Sequence, residues 1–358
     1  MLPKWVLNWI KILLLNIFLL IFGLVLIESG IRVYLMIKNN GELSFLKNPG
    51  PIMKDKYRSF CQYSSILGYV PIKNAHLKLD MKDWNFAKIT INNLGFRNGI
   101  HQDIDMQAPI LVAGDSFVFG NQVSDDETWP ACLQKKGYNV FNLGMGGYGT
   151  AQSLLRLKIF IENNKIHPKY IILQTLVGHD FIRDTLDFRT GFPSTALYKE
   201  NTGEINYYCP DKNEIDIKGS KYSSLDIEKN IFIKMSQYSH AMKLLFENQI
   251  VLYQKQLTRK YDHSLTKEEI IDFVLEEFKK LPYQKFFLLQ YGGDDTVTSN
   301  SERHYLLDKL EELGVPYIDT YRATRKNNKV MKELYTGHHT AKGNRIIADY
   351  IFSTGLLN

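Results

Sequence analysis

Serine becomes a useful nucleophile when a base removes its proton, and at neutral pH that base is usually histidine. Ser116 stands in the segment Ala113-Gly114-Asp115-Ser116-Phe117, directly after the apolar run Ile110–Val112. A serine on a strand-to-helix turn exposes its hydroxyl and aims its own N–H into the same site. The plainer role for Asp115 or Ser116 is to cap the following helix. An imidazole could come from Tyr335-Thr336-Gly337-His338-His339-Thr340-Ala341-Lys342-Gly343-Asn344, ahead of a helical pattern at Arg345–Phe352. A loop histidine there can reach back over the end of a sheet. Vicinal histidines chelate poorly and no carboxylate cluster stands beside them, so no metal site is expected.

Two further segments could hold the charge of an attacked carbonyl. The first is Asn142-Leu143-Gly144-Met145-Gly146-Gly147-Tyr148-Gly149-Thr150. Gly144, Gly146 and Gly149 have the spacing of a dinucleotide fingerprint, G-x-G-x-x-G. That fingerprint also needs an acid near the end of the next strand to hold the ribose. The run Tyr170-Ile171-Ile172-Leu173-Gln174-Thr175 ends without one. The alternatives are a glycine turn whose backbone N–H faces the Ser116 hydroxyl and helps hold an oxyanion, or simply a close strand–helix turn. The second segment is Val177-Gly178-His179-Asp180-Phe181, where a polar side chain could donate another hydrogen bond to the same oxyanion.

These residues need a scaffold that brings strand ends together. From about residue 106, five short apolar runs alternate with helical stretches: Ile110–Val112, Tyr138–Phe141, Tyr170–Leu173, Lys285–Leu289 and Val315–Ile318. Helical patterns cover Thr150–Glu162, Lys267–Lys280 and Glu302–Leu313, the last followed by Gly314 as a C-cap. The alternation predicts βαβ units, a doubly wound parallel sheet and an α/β fold. In such a sheet ligands bind at the carboxyl ends of the strands, where each candidate segment lies. A long interruption, about 185–281, separates the third and fourth strands. Its first part, Thr190–Ser224, is polar and turn-rich and reads as loop, and its later part carries helical patterns. Upstream, residues 38–105 read as a small β-rich lead-in, with extended runs at Leu67–Pro71 and Ile89–Arg97 closed by Asn/Gly turns.

Taken together, Gly-Asp-Ser, then Asn-x-Gly-x-x-Gly, then Gly-x-Asp, then Gly-His before a final helix resemble the SGNH/GDSL hydrolase superfamily over about residues 106–358, excluding the interruption. Asn93-Leu94-Gly95-Phe96-Arg97 resembles the lead-in of membrane-anchored members associated with bacterial envelope polysaccharides. The resemblance implies a flavodoxin-like three-layer α/β/α fold and ester hydrolysis or acyl transfer through a serine acyl-enzyme, without a cofactor. By position it makes Ser116 the nucleophile and His338 the base. The N–H groups of Ser116 and Gly147, with His179, become the oxyanion hole. Two departures stand out. His179 occupies the place of the family's asparagine. Thr336 and Tyr335 stand where an orienting aspartate is usual, leaving a hydroxyl, a backbone carbonyl or a distant acid such as Glu333 or Asp319 to set the imidazole. Thr336, His339, Asp180 and Asp115 are the candidate supporting residues.

The remaining sequence bounds where this chemistry happens. The run Trp5–Ile27, WVLNWIKILLLNIFLLIFGLVLI, holds a strictly uncharged core at Ile12–Ile27. Its 23 residues make a helix of about 34 Å, enough to cross a bilayer core of about 30 Å. Lys11 can snorkel, and Trp5, Trp9 and Tyr34 suit the interfaces. The following Glu28-Ser29-Gly30-Ile31 is a poor cleavage site, which favours an anchor over a cleaved signal. Expected domains are therefore an anchor at 1–37, the lead-in at 38–105 and a hydrolase domain at 106–358. A single-pass anchor with a short N-terminus is expected to export the catalytic domain to the periplasmic or extracellular side. The 358 residues carry 44 Lys and Arg against 38 Asp and Glu, a net +6, half of it in the first forty residues. The remaining +3 is too little to imply a nucleic-acid partner. The three cysteines are widely spaced and form neither a zinc pattern nor a disulfide framework. The expected substrate is an acylated glycan or lipid. An O-acyltransferase using the same site, and a catalytically silent glycan-binding or assembly protein, are the alternatives.

Overall fold

A computed structural model of the chain describes residues 3–38, 60–78, 86–100, 105–186, 188–189, 192–210, 265–292, 297–324 and 333–357. The chain divides into two compact units, Met1–Asp55 with Asp216–Leu257, and Lys56–Ile215 with Thr258–Asn358.

In the first unit the described element is helix α1 (Lys4–Lys38). Its apolar stretch, Lys11–Tyr34, is 24 residues with none of that surface buried, or about 36 Å of helix. Helical spacing brings Glu28 and Arg32 into an ion pair at 2.8 Å, so the two charges near the end of that stretch neutralise each other. The helix is long and apolar enough to cross a membrane.

The second unit opens with two antiparallel strand pairs, β1 (Cys61–Ser64) with β2 (Gly68–Pro71) and β3 (His76–Lys78) with β4 (Lys88–Thr90). The α/β body follows: β5 (Ile110–Ala113), α2 (Ser116–Phe119), α3 (Trp129–Gln134), β6 (Val140–Asn142), α4 (Thr150–Asn164), β7 (Tyr170–Leu176) and α5 (Asp180–Arg183). Two small antiparallel pairs come next, β8 (Phe188–Arg189) with β9 (Phe192–Pro193) and β10 (Ala196–Lys199) with β11 (Ile205–Tyr208). The chain then returns through α6 (Lys267–Lys279), β12 (Lys285–Gln290), α7 (Val297–Leu313), β13 (Tyr317–Asp319), α8 (Tyr321–Thr324) and α9 (Ala341–Ser353).

The five-stranded sheet is ordered β6-β5-β7-β12-β13, and every pairing is parallel. In chain order this is 2-1-3-4-5, the flavodoxin-like arrangement. Both faces are covered, which explains the unbroken apolar runs. Leu111, Ala113, Ile171, Leu173, Phe287 and Leu289 pack with α4, α6 and α7. The alternate residues Ile110, Val112, Ile172, Phe286, Leu288 and Ile318 pack with α3 and α9. The expected α/β/α layering is present.

Five expectations move. The second and fifth strands are shifted toward the C-terminus of their apolar runs, to Val140–Asn142 and Tyr317–Asp319. The helix expected at Glu302–Leu313 begins at Val297. The last helix starts at Ala341, four residues before its apolar pattern, because the Thr340 side chain caps it by accepting from Gly343 N. Within the expected loop at Thr190–Ser224, residues 192–210 instead carry strands, with Ala196 and Leu197 buried and a turn at Gly203 (φ 89°). Ala196 and Leu197 are adjacent in sequence, so their burial leaves no alternating pattern to read. Residues 211–264, with the helical patterns expected there, lie outside the described residues.

The lead-in builds onto the sheet. Phe60, Cys61, Tyr69, Ile89 and Ile91 form a cluster with Phe119, Met145 and Tyr148. The Arg97 guanidinium is fully buried. It bonds Asp125 (2.9 Å) and donates to the carbonyls of Phe119, Gly120 and Val123 at 2.6–2.7 Å. The motif ending in Arg97 thus staples the segment that follows Ser116.

Candidate active site

Ser116 lies at the start of α2, just past the end of β5, the strand beside the central β7, and is 5% exposed. Asp115 N-caps this short helix, with Oδ1 accepting from Phe117 N at 2.9 Å. The Asp115 backbone N–H donates to Gln174 Oε1 on the neighbouring strand at 3.1 Å. A side chain at Gly114 would collide with Gln174 Oε1, 2.2 Å from where its Cβ would stand. The turn before the serine must therefore be glycine for the two strands to lie this close.

His338 reaches Ser116 from 222 residues further along the chain, with Nε2 2.9 Å from Oγ. Its loop is a tight turn. Thr336 N donates to the His338 carbonyl (2.9 Å), Gly337 takes φ 92°, and Tyr335 pairs with His339 as an isolated bridge. The His338 backbone N–H donates to Gln122 Oε1 at 3.1 Å. Gln122 has φ 71°, a left-handed conformation that non-glycine residues seldom adopt. The Phe117 ring lies against both imidazoles, with centroids 5.1 Å from His338 and 4.8 Å from His339.

The two histidines are not equivalent. His339 is buried, and its Nδ1 lies 2.9 Å from the amide nitrogen of Gln290. That amide nitrogen can only donate, so Nδ1 of His339 is the accepting nitrogen. Burial, reinforced by the neighbouring His338, pushes its pKa down to about 3. His339 is a neutral support beneath the site, and His338 is the imidazole at the hydroxyl.

The glycine segment after β6 is held from several sides. Asn142 Nδ2 donates to the Val118 carbonyl (2.8 Å), while its Oδ1 accepts from Gly144 N (3.0 Å). A Cβ on Gly144 would stand 2.3 Å from Phe119 N. Gly147 has φ 87° and is buried. Tyr69 of β2 clamps its two neighbours: its hydroxyl donates to the Gly146 carbonyl (2.8 Å), and its carbonyl accepts from the Tyr148 hydroxyl. Asp184 caps α4 from outside, accepting from Ala151 N (2.9 Å) and Gln152 N (3.2 Å). Burial pushes this carboxyl up to about 7, against the lowering effect of those backbone bonds. A side chain at Gly149 would stand 2.0 Å from Asp184 Oδ1. The helix N-terminus where a nucleotide phosphate would bind is therefore filled by the chain's own carboxylate. The glycine spacing serves close packing, and the dinucleotide alternative fails on this point.

Beyond β7, His179 is exposed at the start of α5 and Asp180 is buried. Asp180 Oδ2 accepts from Leu176 N at 2.7 Å, and its Oδ1 is 2.5 Å from Arg183 Nη1. The same nitrogen lies 2.9 Å from Asp115 Oδ2. Burial, then the Asp115 charge, hold the Asp180 carboxyl well above its ordinary value despite Arg183. Burial alone would lower the Arg183 pKa, but Asp180 and Asp115 more than offset it and raise it.

Thr336 is exposed on its turn. The distant acids are engaged elsewhere: Glu333 pairs with Lys342, while Asp319 binds Arg303, the Tyr291 hydroxyl (2.9 Å) and Tyr321 N (3.0 Å). Sequence reasoning missed Gln122, Gln174, Gln290, Asp184 and Arg183. Only Arg183 left a trace in the sequence, an i,i+3 spacing from Asp180 on a helix. No group of three or more His, Cys, Asp or Glu placed to hold a metal occurs among the described residues.

No family model and no curated protein matches the chain. Solved structures do. One is a member of the lipolytic protein G-D-S-L family from Veillonella parvula DSM 2008, 12% identical, covering 68% of this chain and 96% of its own, with a TM-score of 0.36. Another is Axe2, an acetylxylan esterase from Geobacillus stearothermophilus, 15% identical, covering 72% and 97%, with a TM-score of 0.35. A third is LAE5, an alpha/beta hydrolase enzyme from the metagenome of Lake Arreo, Spain, 11% identical, covering 70% and 96%, with a TM-score of 0.38.

Proposed function

We propose that the protein is a membrane-anchored serine esterase or deacylase acting on O-acyl esters of a cell-envelope glycan. The observation that carries this reading is the 2.9 Å approach of His338 Nε2 to Ser116 Oγ at the carboxyl end of the central strands. A donor–base pair at that distance is within reach for proton transfer.

In the first step Ser116 Oγ attacks the ester carbonyl while His338 Nε2 takes the hydroxyl proton. The imidazole must enter this step as the neutral tautomer that carries its proton on Nδ1. The carbonyl oxygen becomes an oxyanion, held by the N–H groups of Ser116 and Gly147 with His179. Collapse of the tetrahedral species breaks the bond to the leaving alcohol, and His338 returns the proton to that alcohol. Water, deprotonated by the same imidazole, then attacks the acyl-serine; collapse of this second tetrahedral species breaks the bond to Ser116 Oγ, which takes the proton back from His338 as the acid is released. The reaction needs no cofactor. The glycan substrate follows from the resemblance of the residue 93–97 motif to envelope-associated lead-ins, and the anchor from the apolar length of α1.

The test is release of 4-nitrophenol from 4-nitrophenyl acetate by the full-length protein in detergent. Turnover that falls at least 10³-fold in Ser116→Ala, with unfolding unchanged, supports the reading. Absence of turnover in the native protein rejects it in favour of a silent glycan-binding or assembly protein. Acetate release from an acetylated glycan, measured with and without an acceptor glycan, separates hydrolysis from transfer.

A further inference from the structure

We propose that Arg183 is a positioning residue that sets the oxyanion hole, a single guanidinium nitrogen fixing the three separate segments from which its donors come. The inference rests on the serine-esterase reading above and deepens it. The three donor positions, Ser116, Gly147 and His179, follow three different strands and share no local structure. Each has an immediate neighbour that meets Arg183 Nη1: Asp115 Oδ2 at 2.9 Å, Asp180 Oδ1 at 2.5 Å and the Tyr148 carbonyl at 3.5 Å.

The chemistry suits the task. Nη1 carries two N–H groups: the Asp115 and Asp180 carboxylates take them at 2.9 and 2.5 Å as charge-assisted hydrogen bonds, and the Tyr148 carbonyl at 3.5 Å is a longer contact that shares one of them. Arg183 is 13% exposed in its side chain, and the two carboxylates are 0% and 1% exposed, so the pairings are weakly screened by water. The cation also offsets a negative charge that would oppose the reaction. Asp115 Oδ2 is 3.4 Å from Ser116 Oγ, the atom next to which the oxyanion forms. With Arg183 removed, two buried carboxylates would face each other close to that charge, and the loops would part or one carboxyl would take up a proton.

The effect acts through backbone placement, so it belongs to kcat and not to substrate binding. A hole loosened by a fraction of an ångström loses much of its value, since deleting one oxyanion donor costs about 10²–10³ in kcat in a well-studied protease.

The experiment compares wild type, Arg183→Gln and Arg183→Lys as full-length proteins in detergent micelles, with two readouts. The first is 4-nitrophenyl acetate kinetics. Arg183→Gln is expected to lower kcat about 100-fold with KM within twofold, and Arg183→Lys, which keeps a charged donor, is expected to fall between it and wild type. The second is amide hydrogen exchange, which does not depend on turnover. Peptides carrying residues 114–118, 145–149 and 177–181 are expected to exchange faster together in Arg183→Gln, while 335–340 stays protected. If Arg183→Gln does not fold, the same joint loosening and partial loss of kcat are read in Arg183→Lys. Retention of kcat within twofold with all three segments still protected overturns the proposal, as does loosening confined to 177–181. If wild type turns over no ester, the esterase reading fails on that result, and the exchange data alone decide whether Arg183 ties the three segments.

Discussion

The two adjacent imidazoles at positions 338 and 339 are the same side chain put to different uses by their surroundings. Ser116 and His338 were legible as chemistry because each sits at a boundary that a linear pattern marks, one after an apolar run and one before a helix. The features that tell His338 from its neighbour were not legible, because Gln290 and Gln122 become partners only once the sheet is assembled. His339 makes a testable contribution to stability. The native state keeps it neutral down to about pH 3, while an unfolded chain takes up the proton below its ordinary 6.5. The unfolded state therefore binds more protons within that window, and native stability falls as pH drops from 6.5 toward 3, by up to about 1.4 kcal/mol per pH unit. Urea unfolding at pH 7 and pH 4.5 is expected to show this loss in wild type and a smaller one in His339→Asn. Gln122 gives a second outcome at this scale. Gln122→Gly relieves a left-handed φ of 71° but removes the acceptor of the His338 N–H. It is expected to cut kcat about tenfold with little change in melting temperature, measured on the same acetate ester.

Arg97 and Gly144 show how whole elements are held in register around the serine. The alternation of apolar runs was enough to give the parallel sheet, since strands covered on both faces need unbroken apolar residues. It misplaced strand ends at β6 and β13, where the ladder extends to Asn142 and Asp319 although both are polar. It also missed the strands of residues 192–210, where Pro193, Asn201 and Gly203 break the apolar residues into runs too short to read as strands. The lead-in motif ending in Arg97 could be noticed but not explained from the sequence, because besides the distant Asp125 its partners are three backbone carbonyls, which no pattern of side chains can display. Arg97→Met strands those carbonyls and unpairs Asp125, so a loss of about 3 kcal/mol or more is expected in denaturant unfolding. Gly144→Ala places a methyl 2.3 Å from Phe119 N. It is expected to cost about 1–3 kcal/mol and to lower kcat by shifting α2.

For the whole molecule, the sequence marks an apolar helix at its start and an α/β body after it. The helix extends further than its apolar run, to Lys38, because the Glu28–Arg32 pair lets it continue as a charged helix. If α1 is an anchor, the protein is expected to sediment with membranes through high-salt and carbonate washes, to dissolve in detergent, and to retain residues 1–38 by intact mass. Cleavage within residues 28–38 would make it a signal sequence instead. The account as a whole turns on one chemical event, acylation of a serine by way of its neighbouring imidazole. The most direct measurement is intact-mass and peptide analysis of the full-length protein after brief incubation with an aryl fluorophosphonate, beside Ser116→Ala and His338→Ala. The account predicts one adduct, on Ser116, absent in Ser116→Ala and slowed at least 100-fold in His338→Ala. Labelling elsewhere, or labelling of Ser116 at the same rate without His338, would contradict it.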